Sequence, residues 1–230
     1  MRYFFDESIQ DWGFVMDGKG GSDVFLWLGL LFFAVAVASY LLGSINSAVI
    51  ISKSIYGNDV RNFGSGNAGM TNMFRSFGKK AGFLTLGGDV LKALISVVLG
   101  FCLLGSPGQY IAGFFCMIGH IFPIYFKFKG GKGVIVSAIT ILLIDPLVFL
   151  VLVLIFGLMF AATQIISASS ITAAFFYPMV VYAFNFERPS IVYFLFSLLM
   201  AVFVIAMHKD NIHRLLNKTE KKFTIKKDGK

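Results

Sequence analysis

Residues 134–163 read VIVSAITILLIDPLVFLVLVLIFGLMFAAT. The run is strongly apolar and uncharged except at Asp145, which Pro146 follows. A helix that crosses a membrane takes about 20 mostly apolar residues, and the piece 134–144 falls well short of that. Asp145 and Pro146 are therefore either a bend inside one long helix or an external turn between two. The choice decides the fold, because everything after residue 163 changes membrane face with it.

Composition sets the frame for that choice. Of 230 residues, 57% are apolar and 27 are phenylalanine, far outside soluble usage, so the chain reads as an all-α polytopic membrane protein of one domain. Besides 134–144 and 147–163, apolar runs fall at 24–51, 81–104, 110–126, 169–184 and 191–207. The segment 1–23 is acidic, with Asp6, Glu7, Asp11, Asp17 and Asp23 against Arg2 and Lys19. A signal peptide starts basic and has a shorter apolar core, so 24–51 reads as a retained span behind an acidic extension. Cys102 and Cys116 lie inside apolar runs and read as packing residues, neither a disulfide framework nor a zinc site.

Charge arbitrates the count. Seven helices with the amino terminus outside put Lys53, Arg61, Arg75, Lys79, Lys80, Lys127, Lys129, Lys132 and the basic tail 208–230 on the cytoplasmic face. Only Arg2, Lys19 and Arg188 remain outside, which is the bias that cytoplasmic loops carry. Six helices would put the basic tail beside the acidic amino terminus. The expectation is seven transmembrane helices, 24–207, with the carboxy terminus cytoplasmic. The net charge of +8 then reflects topology and attraction to anionic membrane lipid, and no pattern points to nucleic acid.

Three segments on that face carry polarity beyond what orientation requires. In DVRNFGSGNAGMTNMFR (59–75), Gly64, Ser65, Gly66 and Asn67 precede a stretch, 70–77, that can be helical. A helix start offers unpaired amides to an anion, and Thr71, Asn72 and Arg75 share a neighbourhood at spacings of three and four. The segment reads as a phosphate clamp or as an ordinary capped loop with an arginine that fixes topology. In GHIFPIYFKFKGGKGV (119–134), Lys129 and Lys132 flank Gly130 and Gly131, so glycine amides and point charges can receive phosphate, or the lysines simply anchor the span. A nucleotide P-loop would need glycine at Phe126 and serine or threonine at Gly133, so ATP hydrolysis is not supported. His120, in the preceding span, reads as a hydrogen-bonded packing residue or a base. In HKDNIHRLLNKTE (208–220), His208 and Asn211 are three apart where the last span ends, and face one vestibule or form a snorkelling helix end. Asp89 and Lys92, buried at a spacing of three, can neutralise each other, and Ser167, Ser169 and Ser170 open the sixth span from the inner side.

Together these segments resemble the bacterial acyl-phosphate:glycerol-3-phosphate acyltransferase family, the PlsY type. The likeness runs from about Gly43 to Glu220 through LGSIN, GSGNAGMTNMFR, GGDVLK, GHIFPIYFKFKGGKGV, SASS and HKDNIHRLLNKTE, in the family's order. It implies a seven-helix enzyme of the bacterial cell membrane whose active site faces the cytoplasm. The implied reaction moves a fatty acyl group from acyl phosphate to the 1-position of glycerol 3-phosphate, giving lysophosphatidic acid and phosphate, the first committed step of phospholipid synthesis. The implied catalytic residues are Ser65, Arg75, Lys132, His208 and Asn211. Substrate binding falls to Gly64, Gly66, Asn67, Thr71, Asn72, Lys129, Gly130, Gly131, Ser167 and Glu220, with no metal or cofactor. An upstream enzyme that forms acyl phosphate is the implied partner. The chain departs from the family pattern at Asn46, Ala68, Lys218 and Thr219, positions that read as scaffold. The chemistry suits the residues: the donor is an activated anhydride, so the protein need only bring two anions together and offset their repulsion. No GxSxG elbow is present, which favours direct attack with the donor phosphate or His208 taking the proton. A carrier for organic phosphates would also want a basic vestibule, but its site would sit near the midplane on broken helices. A lipid-binding scaffold without turnover is the third reading.

Overall fold

Asp145 is a turn. Its backbone is extended, and it ends one helix, Val134–Ile144, while capping the next, Pro146–Thr163. Its carboxylate accepts from the amides of Leu147 and Val148 at 3.2 Å, and Pro146 fills the first helical position, where a missing N–H matters least. The start of the first helix and the end of the second lie at the same polar mouth described below, so the chain reverses direction at Asp145.

In a computed structural model the described residues are 21–185 and 190–225. Among them all regular structure is helical: α1 Gly21–Gly43, α2 Ser47–Tyr56, α3 Met70–Phe77, α4 Lys79–Ile121, α5 Val134–Ile144, α6 Pro146–Thr163, α7 Ile166–Phe184, α8 Ile191–Ala206 and α9 Lys209–Leu216, with 3-10 turns at Val60–Asn62 and Ile124–Phe126. The acidic segment up to residue 20, Arg188 and the last five residues lie outside the described residues. Phe25–Tyr56, Lys79–Phe126, Pro146–Thr163 and Ile166–Phe184 are each long and apolar enough to cross a membrane. Ile191–Ala206 joins them if it forms one span with α9, bent by 62° from it, whereas Val134–Ile144 is a shorter apolar helix. Large side chains such as Trp27, Phe83, Leu150 and Leu158 are exposed around the bundle, as a hydrocarbon solvent permits.

α4 folds back on itself. At 43 residues it would run about 65 Å if straight, twice the hydrocarbon thickness. Gly105 breaks it with φ 63° and ψ −148°, a conformation open to glycine. The two arms then pair closely: a Cβ at Gly108 would lie 1.9 Å from the Gly100 carbonyl oxygen, Ser96 donates to Ala112 O, and the Cys116 thiol reaches Lys92 O. The expected division of this region into two spans, 81–104 and 110–126, is thus a hairpin whose second arm ends at Ile121.

The first expected span, 24–51, is broken. The helix stops at Gly43 and resumes at Ser47, with Asn46 capping α2 through Val49 N. The break frees carbonyls inside an apolar bundle, where nothing but protein can satisfy them. Lys92 does so: its ammonium donates to Gly43 O at 3.1 Å and Ile45 O at 2.9 Å, and Asp89, 2.9 Å away, balances its charge. Ser47 also donates to Asp89. Small residues let α1 approach the second arm of α4, since a Cβ at Gly43 would meet Cys116 O at 2.1 Å and one at Gly119 would meet Tyr40 O at 2.2 Å. The main core fills the space between that arm and α5 to α8, with Met117, Val136, Val148, Tyr177 and Met200 at its centre.

Candidate active site

The loop 57–69 is built around Asn72. Its Nδ2 donates to the carbonyls of Val60, Phe63 and Asn67, and its Oδ1 accepts from Ser65 N at 3.0 Å. Asn72 is 1% exposed; the side chain expected to bind substrate lines the cavity and also holds the loop that presents Ser65 and Asn67. Gly64 is needed there, because a Cβ would meet Asn72 Oδ1 at 2.2 Å. α3 follows, and its amphipathic turn sends Thr71 and Arg75 to one cavity.

The loop 122–133 behaves differently from the sequence expectation. Gly130 N donates to Ile121 O and Gly131 N to His120 O, both at 3.1 Å, so these amides are engaged within the fold and cannot cradle phosphate. The glycines are there for space: a Cβ would lie 2.0 Å from His120 O at Gly130 and 2.1 Å from His120 Nε2 at Gly131. Lys129 is exposed and does not line the cavity, nor do Gly64, Gly66, Gly130 or Gly131. Arg61 fastens the two loops together. It forks onto Asp59 at 2.7 and 2.9 Å and donates to the carbonyls of Phe126 at 2.9 Å and Lys129 at 3.4 Å. The hydrogen bond from Arg61 holds the Asp59 carboxyl well below the usual carboxylate range.

A cavity of about 570 Å³ receives the rest. Its mouth is lined by Ser65, Asn67, Thr71, Arg75, Lys132, Ser167, His208, Asn211 and Glu220, and its interior by apolar side chains of α5 to α8. Lys132 donates to Asn211 Oδ1. Asn211 Nδ2 and Ser167 Oγ both donate to Glu220 Oε1, at 2.6 and 2.7 Å. Arg214 Nε donates to Glu220 Oε2 at 2.5 Å. The tail carrying Glu220 is tied down further by Phe223, whose amide donates to Gln164 O and whose ring packs on Phe74 and Phe160. The spacing of three from His208 to Asn211 continues to Arg214, which sequence reasoning passed over; that continuation was the signal for it.

Charge at the mouth favours anions. Arg75, Lys132, Arg214 and Lys221 face Glu220, while Asp89, which also lines the cavity, is already paired with Lys92. Arg75 Nε is buried with no hydrogen-bond partner. Burial pushes the Lys132 ammonium down to about 8, with Glu220 opposing and Arg214 assisting the shift. Burial pulls Glu220 up, but donors Arg214, Ser167 and Asn211 prevail and hold it below its ordinary value. His208 is 2% exposed. Burial, then the Lys132 charge, lowers it to about 4. Its Nδ1 lies 2.7 Å from Val204 O. A carbonyl only accepts, so Nδ1 carries the proton and Nε2 is left as the free acceptor.

Among the described residues, helices long and apolar enough to cross a membrane enclose a cavity with a cationic mouth and an apolar interior. Comparison with known proteins agrees: the glycerol-3-phosphate acyltransferase family model matches residues 33–218. The chain belongs to that family of integral membrane enzymes, the PlsY type. It is 39% identical over 193 residues to the glycerol-3-phosphate acyltransferase of Bacillus subtilis (strain 168), covering 84% of this chain and 98% of that one. With the enzyme of the same name from Trichlorobacter lovleyi it shares 41% over 186 residues, 80% of this chain and 94% of that one. Two crystal structures of PlsY, described as an integral membrane glycerol 3-phosphate acyltransferase, resemble it at 31% identity. The glycerol 3-phosphate form gives a TM-score of 0.77 over 84% of this chain and 96% of that one, and the lysophosphatidic acid form 0.73 over 84% and 95%.

Proposed function

We propose that the chain transfers an acyl group from acyl phosphate to the 1-hydroxyl of glycerol 3-phosphate. The observation that carries the reading is a single cavity whose cationic mouth continues into an apolar interior, since the donor is an anion with a fatty tail and the acceptor a second anion. Arg75, with its unpartnered Nε, and Lys132 hold the two phosphates and offset their repulsion. Ser65, Asn67 and Thr71 add donors beside Arg75. The acceptor hydroxyl oxygen then bonds to the acyl carbon, the bond from that carbon to the phosphate oxygen breaks, and phosphate leaves. The hydroxyl proton passes to the departing phosphate or to His208 Nε2. Two bound phosphates raise the basicity of that nitrogen above its value in the empty site. Asn211 and Glu220 position Lys132, and no acyl-enzyme is needed.

The same reading takes the chain as a seven-span protein of the bacterial cell membrane, amino terminus outside and the site facing the cytoplasm. The hairpin at Gly105 and the reversal at Asp145 support the count, and the cationic loops support the orientation. α5 spans only about 16 Å, which supports a Lys132 recessed below the headgroup plane. The polar lining gathers at one mouth, which argues against a carrier with a midplane site. The test is purified protein with acyl phosphate and labelled glycerol 3-phosphate, scored for lysophosphatidic acid and phosphate, with acyl-CoA in a parallel reaction. Transfer from acyl-CoA and none from acyl phosphate would refute the donor assignment.

A further inference from the structure

The apolar half of the cavity stops at one level on four helices. On α7 its lining runs from Ser167 through Ser170 and Ala174 to Tyr177 and goes no further. From His208, just past the end of α8, it runs along α8 through Val204 to Met200, and on α5 and α6 it ends at Ile141 and Phe149. The next inward-facing residue on α7, Val181, is 1% exposed and belongs to the packed core beyond. Tyr177 closes the end. It is 2% exposed and is backed by Tyr193, ring centroids 6.5 Å apart, which in turn is backed by Tyr110 at 5.8 Å. A ring held from behind by two others cannot swing aside to lengthen the cavity.

We infer that Tyr177 is the floor of the acyl site and sets the chain length the enzyme accepts. The inference rests on the acyl phosphate reading above. From Ser167 to Tyr177 is ten residues of helix, about 15 Å. An extended alkyl chain advances about 1.25 Å per carbon, from bonds near 1.5 Å. About twelve carbons therefore fit between the phosphate-binding mouth and the ring. A longer chain must fold back or push its end out between helices, while a shorter one leaves apolar wall uncovered.

The experiment is transfer by the full-length protein in one detergent, with acyl phosphates from octanoyl to octadecanoyl, each scored as kcat/KM. Tyr177→Ala should raise the ratio of octadecanoyl to dodecanoyl transfer by roughly tenfold, the discrimination a few methylenes against a pocket wall can give. Tyr177→Phe keeps the ring and should keep the wild-type ratio. Ala174→Leu, one turn nearer the mouth, should move the optimum to shorter donors, and it carries the test if Tyr177→Ala does not fold. Profiles in Tyr177→Ala and Ala174→Leu that superimpose on an active wild type overturn the floor. A wild type that transfers from no acyl phosphate overturns the donor reading instead.

Discussion

The buried, unpartnered Nε of Arg75 aims a planar fork at the cavity, and a lysine cannot copy that geometry. Arg75→Lys should therefore lose transfer despite keeping the charge. With hydrogen bonds to charged groups worth about 1.5–3 kcal/mol, kcat/KM for glycerol 3-phosphate should fall by roughly ten- to a hundredfold. Wild-type kinetics in the lysine variant would mean that charge alone suffices. Lys132 gives a pH signature. It binds phosphate only when protonated, and with its titration pushed down to about 8, kcat/KM should be sustained at neutral pH and fall as pH rises through that value. Lys132→Arg does not titrate there, so an active arginine variant should lose the alkaline fall. A fall that persists in that variant assigns it to another group. Sequence motif alone brought Ser65, Arg75, Lys132, Ser167, His208, Asn211 and Glu220 to one neighbourhood. It could not reveal that Asn72 holds the loop or that the amides of Gly130 and Gly131 are already bonded, because a residue type does not say which partner its amide has.

At the scale of elements, the breaks matter more than the spans. The gap between α1 and α2 leaves the carbonyls of Gly43 and Ile45 to a single lysine on α4, itself balanced by Asp89. Lys92→Met should strip both carbonyls of their donor, leave the carboxylate with no cation but Ser47 still donating to it, and lower stability by about 3–5 kcal/mol, the usual cost of orphaning a buried charge. The added change Asp89→Leu should recover part of that loss, giving a double variant more stable than the sum of the single effects predicts. Thermal unfolding in detergent measures both. Strictly additive losses would mean that the pair is not coupled. The buried Asp89 and Lys92 were visible in the sequence as a pair, but their purpose was not, since the helix break they serve lies more than forty residues away. Asp145 and Pro146 were legible locally only as a bend or a turn, and the distribution of charge among the loops chose the turn that the cap at Asp145 now makes.

For the whole molecule, the proposed orientation places residues 53–80, 127–132 and 208–230 on one face, the cytoplasmic one. Single cysteines introduced at exposed Lys53, Lys129 and Lys218 should resist a membrane-impermeant thiol reagent in intact cells and react once the cells are opened. Strong labelling at position 218 from outside would contradict the proposed topology.

What the sequence by itself determined is the solvent, the class and the family. Composition requires a membrane, and the order of polar motifs between apolar runs identifies the acyltransferase. The tertiary structure alone decided that the two arms of α4 seal against each other at Gly100 and Gly108, and that Arg61 ties one loop to the other. It also decided that the apolar lining of the cavity reaches as deep as Tyr177. Local periodicity records which way a residue faces along its own helix, whereas a close approach, a shared carbonyl or a cavity floor depends on residues from separate helices meeting at one depth.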